Sequence, residues 1–423
     1  MSSDLFQRDF FSNPYRPGTG HMPPHLAGRT SEQADFKRML QQRVITENLI
    51  LTGLRGVGKT VLLNHLKPTA LHSDWLWTGN DLDEQSSLTE ERIATRLITD
   101  LTSILSPIFV QTQITMPLGF TKNEGRKERP LGYSDLERIY NETPGLVSDK
   151  LKAILRYVGT LITGSQIKGI VYAYDEAQNM ADHAEKDQYP LSLLLDVFQS
   201  VQRSPGGLPF MLILTGLPTL FPKLIDARTY SERMFHTIFL DRLSDAEARD
   251  AINVPVLVEN SPIRFDAKTV ENIVRISGGY PYFIQFICRE AFDMCMSNLV
   301  AKQPMSVSTE LIIKKLDNDF FSARWDKVSD SQRVFLKIVA QMPNCDEEFA
   351  VSDIIKSSAD ALQKSYSSSS VTQFLTRLQE KGIVYRTSSG KYKFAVPLLA
   401  RFINRQLLAE FNLPRPFDGS SGR

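Results

Sequence analysis

The sequence predicts an α/β domain built on a buried parallel sheet with helices on both faces, then an all-helical segment, then a module of three helices and a hairpin. Three observations predict it. Five short, unbroken apolar runs alternate with helical patterns through the first 240 residues or so. Strand signals stop near Ser244 and helical periodicity takes over. From about Asp330, three helical patterns are followed by "IVYRTSSGKYKFAV", two strand-like runs with Ser-Gly at the turn. The length of 423 residues exceeds what one core usually organises, and 42% hydrophobic with 23% charged residues is the balance of an ordinary folded chain.

Composition excludes several classes. A net charge of +1 averages over the chain and decides nothing about nucleic acid, so only local patches can. Cys288, Cys295 and Cys345 form no CxxC pair and are too few for a disulfide framework or a thiolate metal site, which suits a reducing cytoplasm. The first residues carry acids and prolines where an export signal needs a basic start and an apolar run. No stretch reaches the ~18 apolar residues of a membrane span.

The first strand, "NLILTG", runs straight into "GLRGVGKT", Gly53, Leu54, Arg55, Gly56, Val57, Gly58, Lys59 and Thr60, and then into the helical "VLLNHL" beginning at Val61. Strand, GxxxxGK[ST] loop and helix together predict a triphosphate site. Glycines at 53, 56 and 58 supply positive φ and leave room for phosphate oxygens. The helix N-terminus attracts anions, Lys59 reaches the β- and γ-phosphates, and the Thr60 hydroxyl ligates magnesium.

"DWLWTG" is the second strand and "KGIVYAYD" the third, ending in Asp175 and Glu176. At the carboxyl end of a parallel strand, Asp175 can hold magnesium through water, and Glu176 can take a proton from an attacking water. Because another strand and helix intervene, the fold class is an additional-strand P-loop NTPase. "PFMLILTG" is the fourth strand. Thr215 at its tip reads equally as a group touching the γ-phosphate and as packing. "HTIFL" is the fifth, and Arg233 just before it is the candidate for stabilising transition-state charge, in its own site or a neighbour's, with Arg228 and Arg242 as rivals.

Between the second and third strands, "IFVQTQITMPLGFTKNEGRKERPLGYSDLERIY" reads as a solvated loop, basic around Lys122 to Arg129, with a hairpin as the alternative. Beyond Ser244, whose Glu247 completes a capping box, a helical lid is expected. Inside it "SGGYPYF" gives a glycine turn at Gly278 and Gly279, with Pro281 opening the next helix. The last module reads as a winged helix. Lys364, Arg377, Lys381, Arg386, Lys391, Lys393, Arg401 and Arg405 outnumber Glu380 and Glu410 there, so duplex DNA is one candidate partner and a regulated protein the other. The expected division is 1–30 beside the nucleotide, 31–243 the ATPase core with an insertion at about 104–150, 244–327 the lid, 328–412 the winged helix and 413–423 a disordered tail.

The segments "NPYRPGTGHMPPHLAGR", "LTGLRGVGKTVLLN", "YDEAQ", "LTGLP", "YSERMF", "GGYPYF" and "LTRLQEKGIVY" resemble prokaryotic AAA+-type ATPases related to the archaeal and eukaryotic origin initiators. The resemblance implies ATP and Mg2+ as ligands, a nucleotide-driven switch with slow or partner-stimulated hydrolysis, and ATP-dependent self-association. It implies Pro24 to Arg29 near adenine and Arg233 as an arginine finger. "GGYP", where initiators carry a lid arginine, is closer to signal-transducing STAND ATPases, whose proline approaches the nucleotide, which makes Pro281 a binding residue. The alternative function is a signalling or anti-phage defence ATPase that regulates a nuclease or toxin without touching DNA.

Overall fold

A computed structural model describes residues 13–83, 85, 87–105, 109–114, 125–361, 365–387 and 389–412, with backbone alone at 109–114, 125–128 and 410–412. Lys122, Lys364 and the tail 413–423 lie outside the described residues. The chain divides into two compact units: Arg29–Gly53 with Lys59–Leu240, and residues through Gly28 with Leu54–Gly58 and everything from Asp241.

The first unit is built on a five-stranded parallel sheet. Its strands are β1 (Asn48–Gly53), β2 (Trp75–Thr78), β5 (Gly169–Tyr174), β6 (Phe210–Gly216) and β7 (Phe235–Leu240), in the order β2-β5-β6-β1-β7. Every residue of β1, β5 and β6 is buried, as continuous apolar runs covered on both faces must be. The edge strand β7 is less completely covered, with His236 and Thr237 half-buried and Phe239 exposed. Helices α1 (Thr30–Met39), α2 (Lys59–Leu71), α3 (Glu90–Leu105), α4 (Tyr133–Glu142), α5 (Val147–Ile162), α6 (Pro190–Arg203) and α7 (Leu220–Ala227) belong to the unit, and a single helical turn, Ser231–Met234, leads into β7. Tyr172 of β5 meets Phe198 of α6 edge-on at 4.9 Å. Buried polar groups are paired at the strand starts: Asn48 and Gln202 exchange amide hydrogen bonds of 2.8 and 3.2 Å, and the Leu212 N–H donates to Asn48.

β6 separates β1 from β5, so the strand ending in Asp175 is one removed from the strand ending in Gly53. The insertion is a hairpin, not a loop. Strands β3 (Phe109–Ile114) and β4 (Gly125–Pro130) pair antiparallel from Phe109↔Pro130 to Ile114↔Gly125. The alternating β-branched run Val110, Thr112 and Ile114 favours that extended backbone.

In the second unit, α8 (Asp245–Val258) starts at the Ser244–Glu247 capping box. After α9 (Ala267–Ser277), Gly278 and Gly279 turn the chain at φ 58° and 78°, and a side chain on Gly279 would strike the Leu243 carbonyl. Pro281 is the first residue of α10 (Pro281–Val300). α11 (Thr309–Leu316) leads through a π-helical turn to α12 (Asp330–Ala340), α13 (Val351–Ala361) and α14 (Ser368–Glu380). β8 (Val384–Arg386) and β9 (Tyr392–Phe394) then form an antiparallel ladder, followed by α15 (Leu399–Asn412). Phe349 adds a one-residue third strand through two 2.9 Å bonds to Tyr392. One apolar cluster runs from Tyr15 through Phe283, Phe321 and Phe335 to Phe402. Tyr15 is anchored in it by donating to the Ile252 carbonyl at 2.5 Å.

Candidate nucleotide site

β1 delivers the chain into Leu54–Gly58, and α2 begins at Lys59. Gly56 and Gly58 have φ of 80° and 90°, a region that costs an L-residue strain. A side chain on Gly58 would meet nothing within 4 Å, so its glycine serves backbone conformation, not space. Gly53 corrects the expectation of a third positive φ: it is the last residue of β1, in register with Leu240. Within the second unit the loop is fastened by Tyr282, the residue after Pro281, whose N–H donates to the Gly56 carbonyl at 3.0 Å. The Tyr282 ring lies 5.2 Å from Phe320, over which the Arg324 guanidinium stacks at 4.3 Å. Arg55 is exposed, and Leu54 and Val57 are buried.

In the sheet unit, Lys59 is buried at 8% exposure and donates to the Gly53 carbonyl at 3.0 Å. The Thr60 hydroxyl donates to Asp175 Oδ2 at 2.5 Å, and the Glu176 N–H donates to Oδ1 at 2.8 Å. Asp175 is 3% exposed. Burial raises its carboxyl above the ordinary range, against the lowering effect of those two donors. Burial of a carboxylate beside a hydroxyl oxygen is a donor set suited to a hard cation. Among the described residues no three His, Cys, Asp or Glu side chains converge on one metal position. A magnesium ion here would take its remaining ligands from phosphate and water, as Mg2+ on a nucleotide does.

Glu176 is exposed, with left-handed backbone at φ 52°, and its carboxylate accepts a hydrogen bond from Gln178 Nε2. Thr215 lies opposite Leu51, fully buried, its hydroxyl without a partner. Arg233 stands apart. It precedes β7, whose Phe235 pairs with Asn48 at the start of β1, whereas Gly53 pairs with Leu240 at the other end. Six residues of strand put Arg233 roughly 20 Å from Gly53. Arg228, exposed before the same strand, shares that end, and Arg242 lies past β7 in the second unit. The sequence pointed to neither Gln178 nor Tyr282. Each lies within a recognised segment, yet it also contacts backbone distant in the chain, Leu217 for Gln178 and Gly56 for Tyr282.

A family model described as "Domain of unknown function (DUF8462)" matches residues 318–403. No curated protein matches in sequence. Among solved structures, the ORC2 protein of Aeropyrum pernix in its ADP form aligns over 95% of this chain and 100% of its own with a TM-score of 0.54 and 13% identity. The same protein in ADPNP-ADP complexes gives 94%, 98%, 0.51 and 13%. The chain has the fold of that protein, an additional-strand P-loop architecture with helices on both faces of a parallel sheet. In this sheet order Asp175 meets Thr60 although β6 lies between their strands. Among the described residues no helix is long and apolar enough to cross a membrane.

Proposed function

We propose that this protein binds Mg-ATP in the Gly53–Thr60 loop and hydrolyses it slowly, working as a nucleotide-driven switch. The observation that carries the reading is the direct contact of the Thr60 hydroxyl with the buried Asp175 carboxylate at the end of the loop. In this reading Lys59 meets the β- and γ-phosphates, and Thr60 and Asp175 hold the ion. Magnesium, when bound, offsets phosphate charge. Glu176 accepts the proton of the attacking water as the new P–O bond forms and the bond to the β–γ bridging oxygen breaks, its electrons leaving with ADP. Thr215 would sense the γ-phosphate, and Pro281, next to the residue that fastens the loop, would line the nucleotide.

Slow turnover follows from Arg233. An arginine finger is worth about 10³–10⁵ in rate, and in this reading Arg233, at the end of β7 away from the residue paired with Gly53, serves the site of a second copy. Turnover therefore rises when a second copy presents Arg233, which makes ATP-dependent self-association part of the reading.

The winged-helix reading of α12–α14 with β8 and β9 supports contact with duplex DNA. Arg377, Arg386 and Lys391 are exposed, Lys393 is half-buried, and none of the four has an ion-pair partner among the described residues. Lys381 contributes less, because it donates to the Lys327 carbonyl and to Gln332 at 2.8 Å each. Arg405 is held by Asp317, and Arg401 donates to the Arg275 carbonyl. Titration calorimetry with ATP, with and without Mg2+, tests the nucleotide reading. Heat that is independent of magnesium, or absent, overturns it. Binding to random-sequence duplex across a salt series tests the DNA reading, and a partner protein without DNA affinity is its alternative outcome.

A further inference from the structure

The candidate base, Glu176, is exposed and sits on left-handed backbone at the end of a strand, so something must aim it. Its carboxylate meets Gln178 two residues on. The Gln178 side chain is itself held from the other side, because the Leu217 N–H, the first past β6, donates to its Oε1 at 3.0 Å. These two neighbours fix the amide's orientation. A backbone N–H can only donate and a carboxylate can only accept, so turning the amide over would oppose donor to donor and acceptor to acceptor.

Two further contacts hold the residue in place. Lys223 of α7 donates to the Gln178 carbonyl at 2.7 Å, and burial lowers that lysine's pKa. At Gly216, a Cβ would come within 2.6 Å of Gln178 Oε1, so the glycine at the tip of β6 is what lets the amide lie against the strand. Gly216 has no positive φ, which leaves this close approach as its structural use.

We propose that Gln178 is the positioning residue for Glu176, and that through it the C-terminal end of β6 sets where the base points. The inference rests on the hydrolysis reading above and adds to it a specific agent. Gln178 touches no substrate. It acts through Glu176, and ties the base to the same strand end that carries Thr215.

Gln178→Glu separates positioning from anchoring. Its carboxylate still accepts from Leu217 but cannot donate to Glu176, and it brings a like charge beside it. Loss of a bond to a charged group, with misaimed chemistry, lowers kcat roughly 10- to 100-fold while KM changes less than about threefold. In single-turnover assays, adding Gln178→Glu to Glu176→Gln causes no further loss, because the residue through which it acts is already disabled. Gln178→Met, of similar length with neither polar end, is the second variant should the acidic one fail to fold. Wild-type kcat in a folded variant, a KM that rises in step with the loss, or additivity with Glu176→Gln overturns the proposal. Absence of phosphate release from wild type overturns the hydrolysis reading itself, an outcome distinct from all three.

Discussion

Removing the Thr60 hydroxyl should turn a magnesium-dependent site into one nearly blind to the ion. In Thr60→Ala, Asp175 keeps one donor, the Glu176 N–H at 2.8 Å, and loses the other at 2.5 Å. A hydrogen bond to a charged, buried acceptor is worth about 1.5–3 kcal/mol, and the variant also loses an oxygen ligand for the cation. With only one donor left, burial favours the protonated acid more strongly, and a proton on Asp175 competes with the metal. Affinity for Mg-ATP should fall roughly 10- to 100-fold, whereas affinity for ATP in chelator should change by less than about threefold. The deficit should deepen as pH is lowered, and Thr60→Ser should restore binding. Titration calorimetry in paired buffers measures all of this. Equal losses with and without magnesium would refute the assignment of Thr60 and Asp175 to one ion.

Asp175→Asn should raise the melting temperature of nucleotide-free protein at neutral pH. Its carboxyl is raised in the fold above the ordinary 3.8, so its contribution to stability is fully present below that value and lost as pH rises through the folded one. Scanning calorimetry should show the gain shrinking as pH falls toward about 4. Arg233→Ala should leave Mg-ATP affinity unchanged and abolish the rise of specific activity with protein concentration, read by phosphate release over a dilution series. Gly56→Ala should weaken nucleotide binding more than Gly58→Ala, since its Cβ would also meet Tyr282 Cβ at 3.0 Å. Arg377→Ala and Lys391→Ala should each lower the salt slope of duplex binding by about one, measured by fluorescence anisotropy.

The sheet was legible because β1, β5 and β6 are buried on both faces, which forces unbroken apolar sequence such as "NLILTG". The turn from β1 into α2 and the position of Asp175 just past β5 were legible because each is local to a strand end. What could not be read depends on distant partners. Gln178 owes its orientation to Leu217, 39 residues away, and the Tyr15 hydroxyl its partner to Ile252, 237 residues away. Phe349 pairs as a single residue, too short for any periodicity. The end of the sheet that Arg233 occupies was latent in the sequence, since a residue before a parallel strand and a loop after one lie at opposite ends. That becomes decisive once β1 and β7 are known to pair.

The polypeptide leaves the sheet unit at Gly53, spends Leu54–Gly58 in the other, and returns at Lys59 before leaving again after Leu240. No single cut in the backbone therefore yields either unit whole. A fragment ending at residue 240 would keep the phosphate loop but lose the Tyr282 bond that fastens it, and one starting at 241 would lose Tyr15 from its core. Dissection of this protein therefore has to proceed by point substitution.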